Sequence, residues 1–197
     1  MDNREIIIDY AFSIGFHQIG FGKVRRFDEL EKNYEDREFL EFEDSDIEKH
    51  VNPMIHFSGG KTFIALGLSY DLDKGVLLKS DEVRIASSNK PDYHLIIREK
   101  LEDLLDFTEN LLDCNGKTFV DIEGLNDRYV AYSSGFGHYG KNGHVISPYL
   151  GTNYNIGYLI IDRELNINNI IIDDCKDCDL CVKACPTGAI KGDYTIE

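Results

Sequence analysis

Four closely set cysteines constrain this chain more than anything else in it. Cys175, Cys178, Cys181 and Cys185 are followed at once by Pro186, a C-x2-C-x2-C-x3-C-P run. Separations of two residues let successive thiolates converge on one small inorganic cluster while the intervening amides donate to sulfur. Zinc sites usually pair two C-x2-C units across a dozen or more residues to close a tetrahedron, and no such gap exists here. The run therefore reads as an iron–sulfur ligand set of the [4Fe–4S] type, held by Cys175, Cys178 and Cys181 with Cys185 as a further ligand. Pro186 fixes the chain direction after the last of them.

The same spacing is the run of bacterial ferredoxins, where the fourth cysteine ligates a second cluster. This chain carries one run only. Three expectations stand side by side. Cys185 folds back onto the same cluster; or Cys114, another residue or an exogenous group is the fourth ligand; or a longer parent chain carries a second run beyond Glu197. Secreted disulfide scaffolds spread their cysteines through the chain, so clustering points to metal and to a cytoplasmic protein. Cys114, alone, reads as a small apolar residue on a helix.

Lys and Arg number 21 against 36 Asp and Glu, a formal charge of −15. Nucleic-acid affinity depends on cations that neutralise phosphates, so the expectation is that tRNA is an unlikely partner. A redox partner protein and a small-molecule substrate are expected instead. No apolar run is long enough to span a bilayer, and the opening MDNRE lacks the basic and apolar regions of a signal peptide. Hydrophobic residues make up 42% of the chain, enough for a real core.

Helices are predicted over 4–14, stopped by Gly15, from Asp92 to Asn115-Gly116, and over about 125–133. Residues 27–50 read as a solvated, partly helical segment whose Phe27, Leu30, Leu40, Phe42 and Ile47 face the body. Strands are predicted over 17–24, 62–70, 117–121, 156–162 and 167–173. Helices and strands interleave without a βαβ rhythm, so the fold class is α+β. We expect a cofactor and substrate domain over 1–165 and a ferredoxin-like segment over 166–197.

Asp121 ends a strand; on its own it reads as an N-cap or turn aspartate, although a carboxyl in an apolar setting can act as a general acid. Gly135, Gly137 and Gly140 precede Lys141 and Asn142; on their own they read as a tight surface turn, although such glycines also let backbone approach a ligand closely. They do not form the G-x-G-x-x-G of a nicotinamide site. His138 and His144 beside them read as surface histidines.

These strings, taken in order, resemble a known family. FVDIEGLNDR (119–128), GFGHYGKN (135–142), GTNYNIGYLIID (151–162) and the cysteine run follow the order and spacing of the epoxyqueuosine reductases. Asp92-Tyr93-His94 and the apolar strand ending at Ser69-Tyr70 match that family as well. Gly124, Asp127 and His138 stand where it has proline, glutamate and tryptophan. The resemblance implies a fold like that of reductive dehalogenases and cobalamin-processing proteins. It implies a reductase that opens an epoxide on a modified tRNA base to an alkene, with cobalamin in the N-terminal domain and clusters feeding it electrons. Asp121 falls on the family's proton donor. Gly135, Gly137, Gly140, Lys141, Asn142, Tyr93 and His94 become candidate cofactor contacts. From the charge and the departures, our expectation is a relative acting on a small molecule, or an electron carrier without cobalamin.

Overall fold

The computed structural model describes residues 2–36, 38, 39, 41, 44–70, 79–82, 92–121, 125–167, 169, 175–194, 196 and 197. Its centre is a four-stranded antiparallel sheet of β1 (Gln18–Lys23), β2 (Thr62–Ser69), β6 (Tyr154–Ile161) and β3 (Gly116–Phe119), in the spatial order β1-β2-β6-β3. Ala65 lies opposite Tyr158 in one pairing, and Phe119 opposite Tyr158 in the next.

The central strands are apolar at nearly every position because both faces are covered. Side chains alternate across a strand. Phe63, Ala65, Tyr158 and Ile160 enter one core; Ile64, Leu66, Leu159 and Ile161 enter the other. Such burial on two sides gives a continuous apolar run in place of a polar–apolar alternation. The second core is roofed by α1 (Asn3–Ser13) and α5 (Tyr93–Leu112), which bring Ile7, Ala11, Ile97, Leu101 and Leu104. The first is closed by α6 (Asp127–Ser133), with Val130 and Ala131, and by the segment holding α2 (Asp28–Glu35), α3 (Ile47–Val51) and α4 (Pro53–His56). Phe27, Leu30 and Ile47 of that segment face the core as expected; Leu40 and Phe42 lie outside the described residues.

Helix ends follow local chemistry. The Asp2 N–H donates to Glu5 Oε2 at 3.0 Å at the start of α1, and Gly15 at φ 96° turns the chain away after it. Asp92 caps α5 by accepting the His94 N–H. The other end departs from expectation: α5 stops at Leu112 because Asp113 turns left-handed at φ 49°, ahead of Asn115-Gly116. Gly116 opens β3 instead, and β3 ends at Phe119, leaving Asp121 beyond the strand. The expected strand over 167–173 falls mostly outside the described residues, and no strand includes 167 or 169. Three short elements left no periodic signal: the hairpin of β4 (His138–Tyr139) and β5 (Val145–Ile146), and α7 (Leu180–Ala184).

Gly157 marks where α5 presses on β6. A β-carbon there would stand 2.5 Å from Ile97 Cγ2 and 2.9 Å from Leu101 Cδ1. Gly157→Val is expected to cost about 1–3 kcal/mol through overpacking, read as a lower denaturation midpoint at unchanged m-value; an unchanged midpoint would show that the helix yields freely.

Candidate functional site

The chain runs up α5, reverses at Asp113 and returns along β3, so the residues after β3 arrive beside the start of α5. This return brings Asp121 to Tyr93 and His94. The Tyr93 hydroxyl donates to Asp121 Oδ2, and His94 Nε2 lies 3.0 Å from the same oxygen. Behind it, His94 Nδ1 lies 2.8 Å from Asp92 Oδ1. Asp121 itself takes a left-handed backbone, φ 42°, one of four non-glycine residues to do so among those described. Aspartate tolerates that region better than most residues, and such conformations gather at functional sites.

The proton count in this cluster follows from its partners. The bonds from His94 hold the Asp92 carboxyl below its usual range, so Asp92 is an acceptor and Nδ1 carries the hydrogen. The Nε2–Asp121 contact then needs one shared proton. Either an imidazolium donates to the carboxylate, or a protonated Asp121 donates to neutral imidazole. The side chains of His94 and Asp121 remain 43% and 44% exposed, so a ligand can reach that proton. Burial, and next the hydrogen bond to Asp121, push the Tyr93 hydroxyl upward, which keeps it a donor.

Asp121 and Tyr93 line a cavity of about 470 Å³ with Tyr70, Asp127, Thr152 and Asn155. Asp127 is the residue that sequence reasoning missed as a site member, noting it only as a departure from a glutamate. The Tyr158 hydroxyl donates to its Oδ1 at 2.9 Å. Burial pushes the Asp127 carboxyl up to about 7; the Tyr158 bond works against this and the neighbouring Asp121 charge works with it. An unfolded aspartate ionises near about 3.9. Between that pH and 7 the folded chain holds a proton that the unfolded chain has lost, so stability falls as pH rises. Denaturation of Asp127→Asn at pH 4.5 and 7.5 is expected to lack this decline, about 1–3 kcal/mol in the parent after allowing for partial exposure. Parallel behaviour of the two proteins would contradict it.

The glycine-rich loop goes elsewhere. Gly137 admits the Ile146 carbonyl, 2.0 Å from where its β-carbon would be, and Gly140 packs on Asn142 and Ile146. Gly135, at φ 75°, abuts Asn169 and lines a separate cavity of about 700 Å³ beside β1. None of these, nor Lys141 and Asn142, lines the Asp121 cavity, although His144 does. The loop instead meets the cysteine segment. Lys141 Nζ donates to the Lys176 carbonyl at 3.0 Å and to Asp179 Oδ1 at 2.7 Å, and His138 Nε2 lies 3.9 Å from Cys175 Sγ.

None of the five cysteines is joined in a disulfide. Cys181 rides on α7 and Cys185 caps its end. The Ile190 N–H foremost, then the Thr187 hydroxyl, lower the Cys185 thiol to about 7, the amide-to-sulfur donation that cluster thiolates receive. Cys114 contrasts with it: its thiol points to the Thr108 carbonyl, and burial pushes it up to about 11, unsuited to a thiolate ligand. Among the described residues no three His, Cys, Asp or Glu side chains draw together as one metal ion requires.

The family profile described as epoxyqueuosine reductase QueG, DUF1730, matches residues 51–122, and that of the 4Fe-4S binding domain matches residues 169–191, the whole cysteine run included. The chain is 35% identical to the epoxyqueuosine reductase of Bacillus anthracis over 95% of its own length and 52% of that protein's. It is 34% identical to that of Staphylococcus aureus over 96% and 52%. Over nearly its whole length the chain is thus similar to epoxyqueuosine reductases. It spans about half the length of these curated relatives.

Solved epoxyqueuosine reductases carry the same architecture. That of Streptococcus thermophilus superposes with a TM-score of 0.88 at 31% identity, covering 100% of this chain and 55% of that one. A reductive dehalogenase superposes at 0.57 with 12% identity, covering 98% of this chain and 24% of that one, a likeness of fold that matches the α+β class expected. The expectation that tRNA is an unlikely partner is corrected. An epoxyqueuosine reductase solved with an epoxyqueuosine-modified tRNA-Tyr stem loop matches 98% of this chain and 54% of its own at TM-score 0.83 and 31% identity. The net charge misled because it averages the whole surface, whereas a nucleotide in a pocket meets only its local wall. No helix among the described residues is long and apolar enough to cross a membrane.

Proposed function

We propose that this epoxyqueuosine reductase-like chain is an iron–sulfur oxidoreductase that reduces the epoxide of an epoxyqueuosine-bearing tRNA, with Asp121 as proton donor. The observation that carries the reading is the Asp92–His94–Asp121 chain of contacts, which ends on a carboxyl at the wall of an open polar cavity. A relative from Bacillus subtilis is described with an aspartate-bearing catalytic loop swung out of its active site, in keeping with a working aspartate that lies outside the regular strand.

Removing an epoxide oxygen as water takes two electrons and two protons and leaves a carbon–carbon double bond. Asp121 gives its proton to the departing oxygen, and His94, held in orientation by Asp92, restores it from solvent. Tyr93 fixes the carboxyl. The residues 166–197 serve as the electron-transfer segment; its cluster, held by Cys175, Cys178 and Cys181 with Cys185, supplies electrons one at a time from a low-potential donor protein. Cobalamin fits the donor set at the cavity. Tyr70, Thr152 and Asn155 offer the hydroxyl and amide groups that suit an amide-fringed corrin, and cobalamin when bound supplies the low-potential reductant for carbon.

The test is anaerobic reconstitution with iron, sulfide and cobalamin, followed by incubation of the full chain with an epoxyqueuosine-modified anticodon stem loop and dithionite. Loss of one oxygen from the base by mass spectrometry is expected. Turnover that does not require cobalamin would remove that cofactor from the reading; a loaded chain that leaves the base intact would reject the substrate.

A further inference from the structure

The contacts of Lys141 are not explained by the proton-donating site. Lys141 stands in the turn of the β4–β5 hairpin, which is closed by the Gly140 N–H on the His144 carbonyl at 2.7 Å and by the Gly143 N–H on the Gly140 carbonyl at 2.9 Å. Its side chain is only 12% exposed. It reaches the cysteine segment at two points: the carbonyl of Lys176, between Cys175 and Cys178, and the carboxylate of Asp179, between Cys178 and Cys181. Lys176 is itself left-handed, φ 42°, so the ammonium bonds the carbonyl at the bend of the ligand loop. A cation on the hairpin and an anion of the run, paired at 2.7 Å, thus stand against the first two gaps of the ligand set.

We propose that Lys141 and Asp179 form a charge pair that sets the reduction potential of the cluster bound by this run, Lys141 raising it and Asp179 lowering it. The proposal rests on the cluster reading above. On reduction the cluster takes one electron from a low-potential donor and becomes more negative by one unit. A nearby positive charge favours that state and a nearby negative charge opposes it; charge and hydrogen bonding around the sulfurs are main determinants of cluster potentials. Both are positioning residues: they hold the ligand loop and its field, and neither ligates iron.

Opposite signs separate this role from a purely structural one. Anaerobic redox titration of the reconstituted full chain, followed by electron paramagnetic resonance, is to be run on Lys141→Met, Asp179→Asn, the double variant and Lys141→Arg, with iron counted on each sample. Lys141→Met is expected to lower the midpoint and Asp179→Asn to raise it, each by roughly a tenfold change in the equilibrium, about 59 mV for one electron. The double variant and Lys141→Arg are expected close to the parent. Shifts in the same direction, or none, at full iron content would overturn the proposal. If Lys141→Met holds no iron, the Asp179→Asn midpoint decides alone, and a lowered or unchanged value rejects it. A parent chain that takes up no iron would instead defeat the cluster reading beneath it.

Discussion

Asp121→Asn is expected to lower turnover on the epoxide by about 10²–10⁴-fold, the usual share of a positioned general acid. The amide is nearly the same size and can still accept from Tyr93, and it keeps a polar contact with His94. What it cannot do is carry a proton to the departing oxygen. Iron content, cobalamin uptake and stem-loop affinity should therefore match the parent, so that the loss falls on kcat rather than on binding. His94→Gln keeps the acid and removes its resupply, and a smaller loss is expected there. Full activity in the Asp121 variant would move the proton donor elsewhere; Asp127, across the same cavity and with a carboxyl raised to about 7, would be the next residue to replace.

The second large effect concerns iron. Replacing Cys175, Cys178 or Cys181 singly by alanine is expected to take the reconstituted chain from about four irons to nearly none, because a [4Fe–4S] cluster draws on four thiolates. Cys114→Ala is expected to retain all of it, since that thiol is held protonated at the end of α5. The measurement is iron and sulfide on the desalted protein, with the visible charge-transfer band as a second reading. Iron lost with Cys114 would reinstate it as a ligand. Zinc in place of iron would overturn the cluster assignment itself.

Much of this molecule was legible in the sequence for identifiable reasons. The cysteine run is readable because ligand spacing is local. The strands β2 and β6 are readable because both their faces are buried, and α5 because its apolar stripe and Asp92 cap are local too. Asp121, Tyr93 and His94 were all named, yet their meeting was not foreseeable from spacing: Tyr93 and Asp121 are 28 positions apart and join only through the α5–β3 return. Asp127 escaped because its enclosure comes from Tyr158 on a distant strand. The glycine loop read as a tight turn on its own residues and as a ligand approach only through the resemblance; Gly137 and Gly140 are small here because a hairpin packs against itself. Charge failed most clearly, since a sum over the chain has no position.

The return from α5 into β3 also bears on how such a protein can vary. The meeting of Asp121 with Tyr93 and His94 is fixed by a count of residues along one helix, one reversal and one four-residue strand. Substitutions along that path leave the count intact, so sequence there can drift while the geometry persists. Insertions and deletions do not: one residue added within β3 slips its register on β6 and carries the carboxylate past its partners with every catalytic side chain still present. Over evolutionary time, length rather than identity is what this stretch has to conserve.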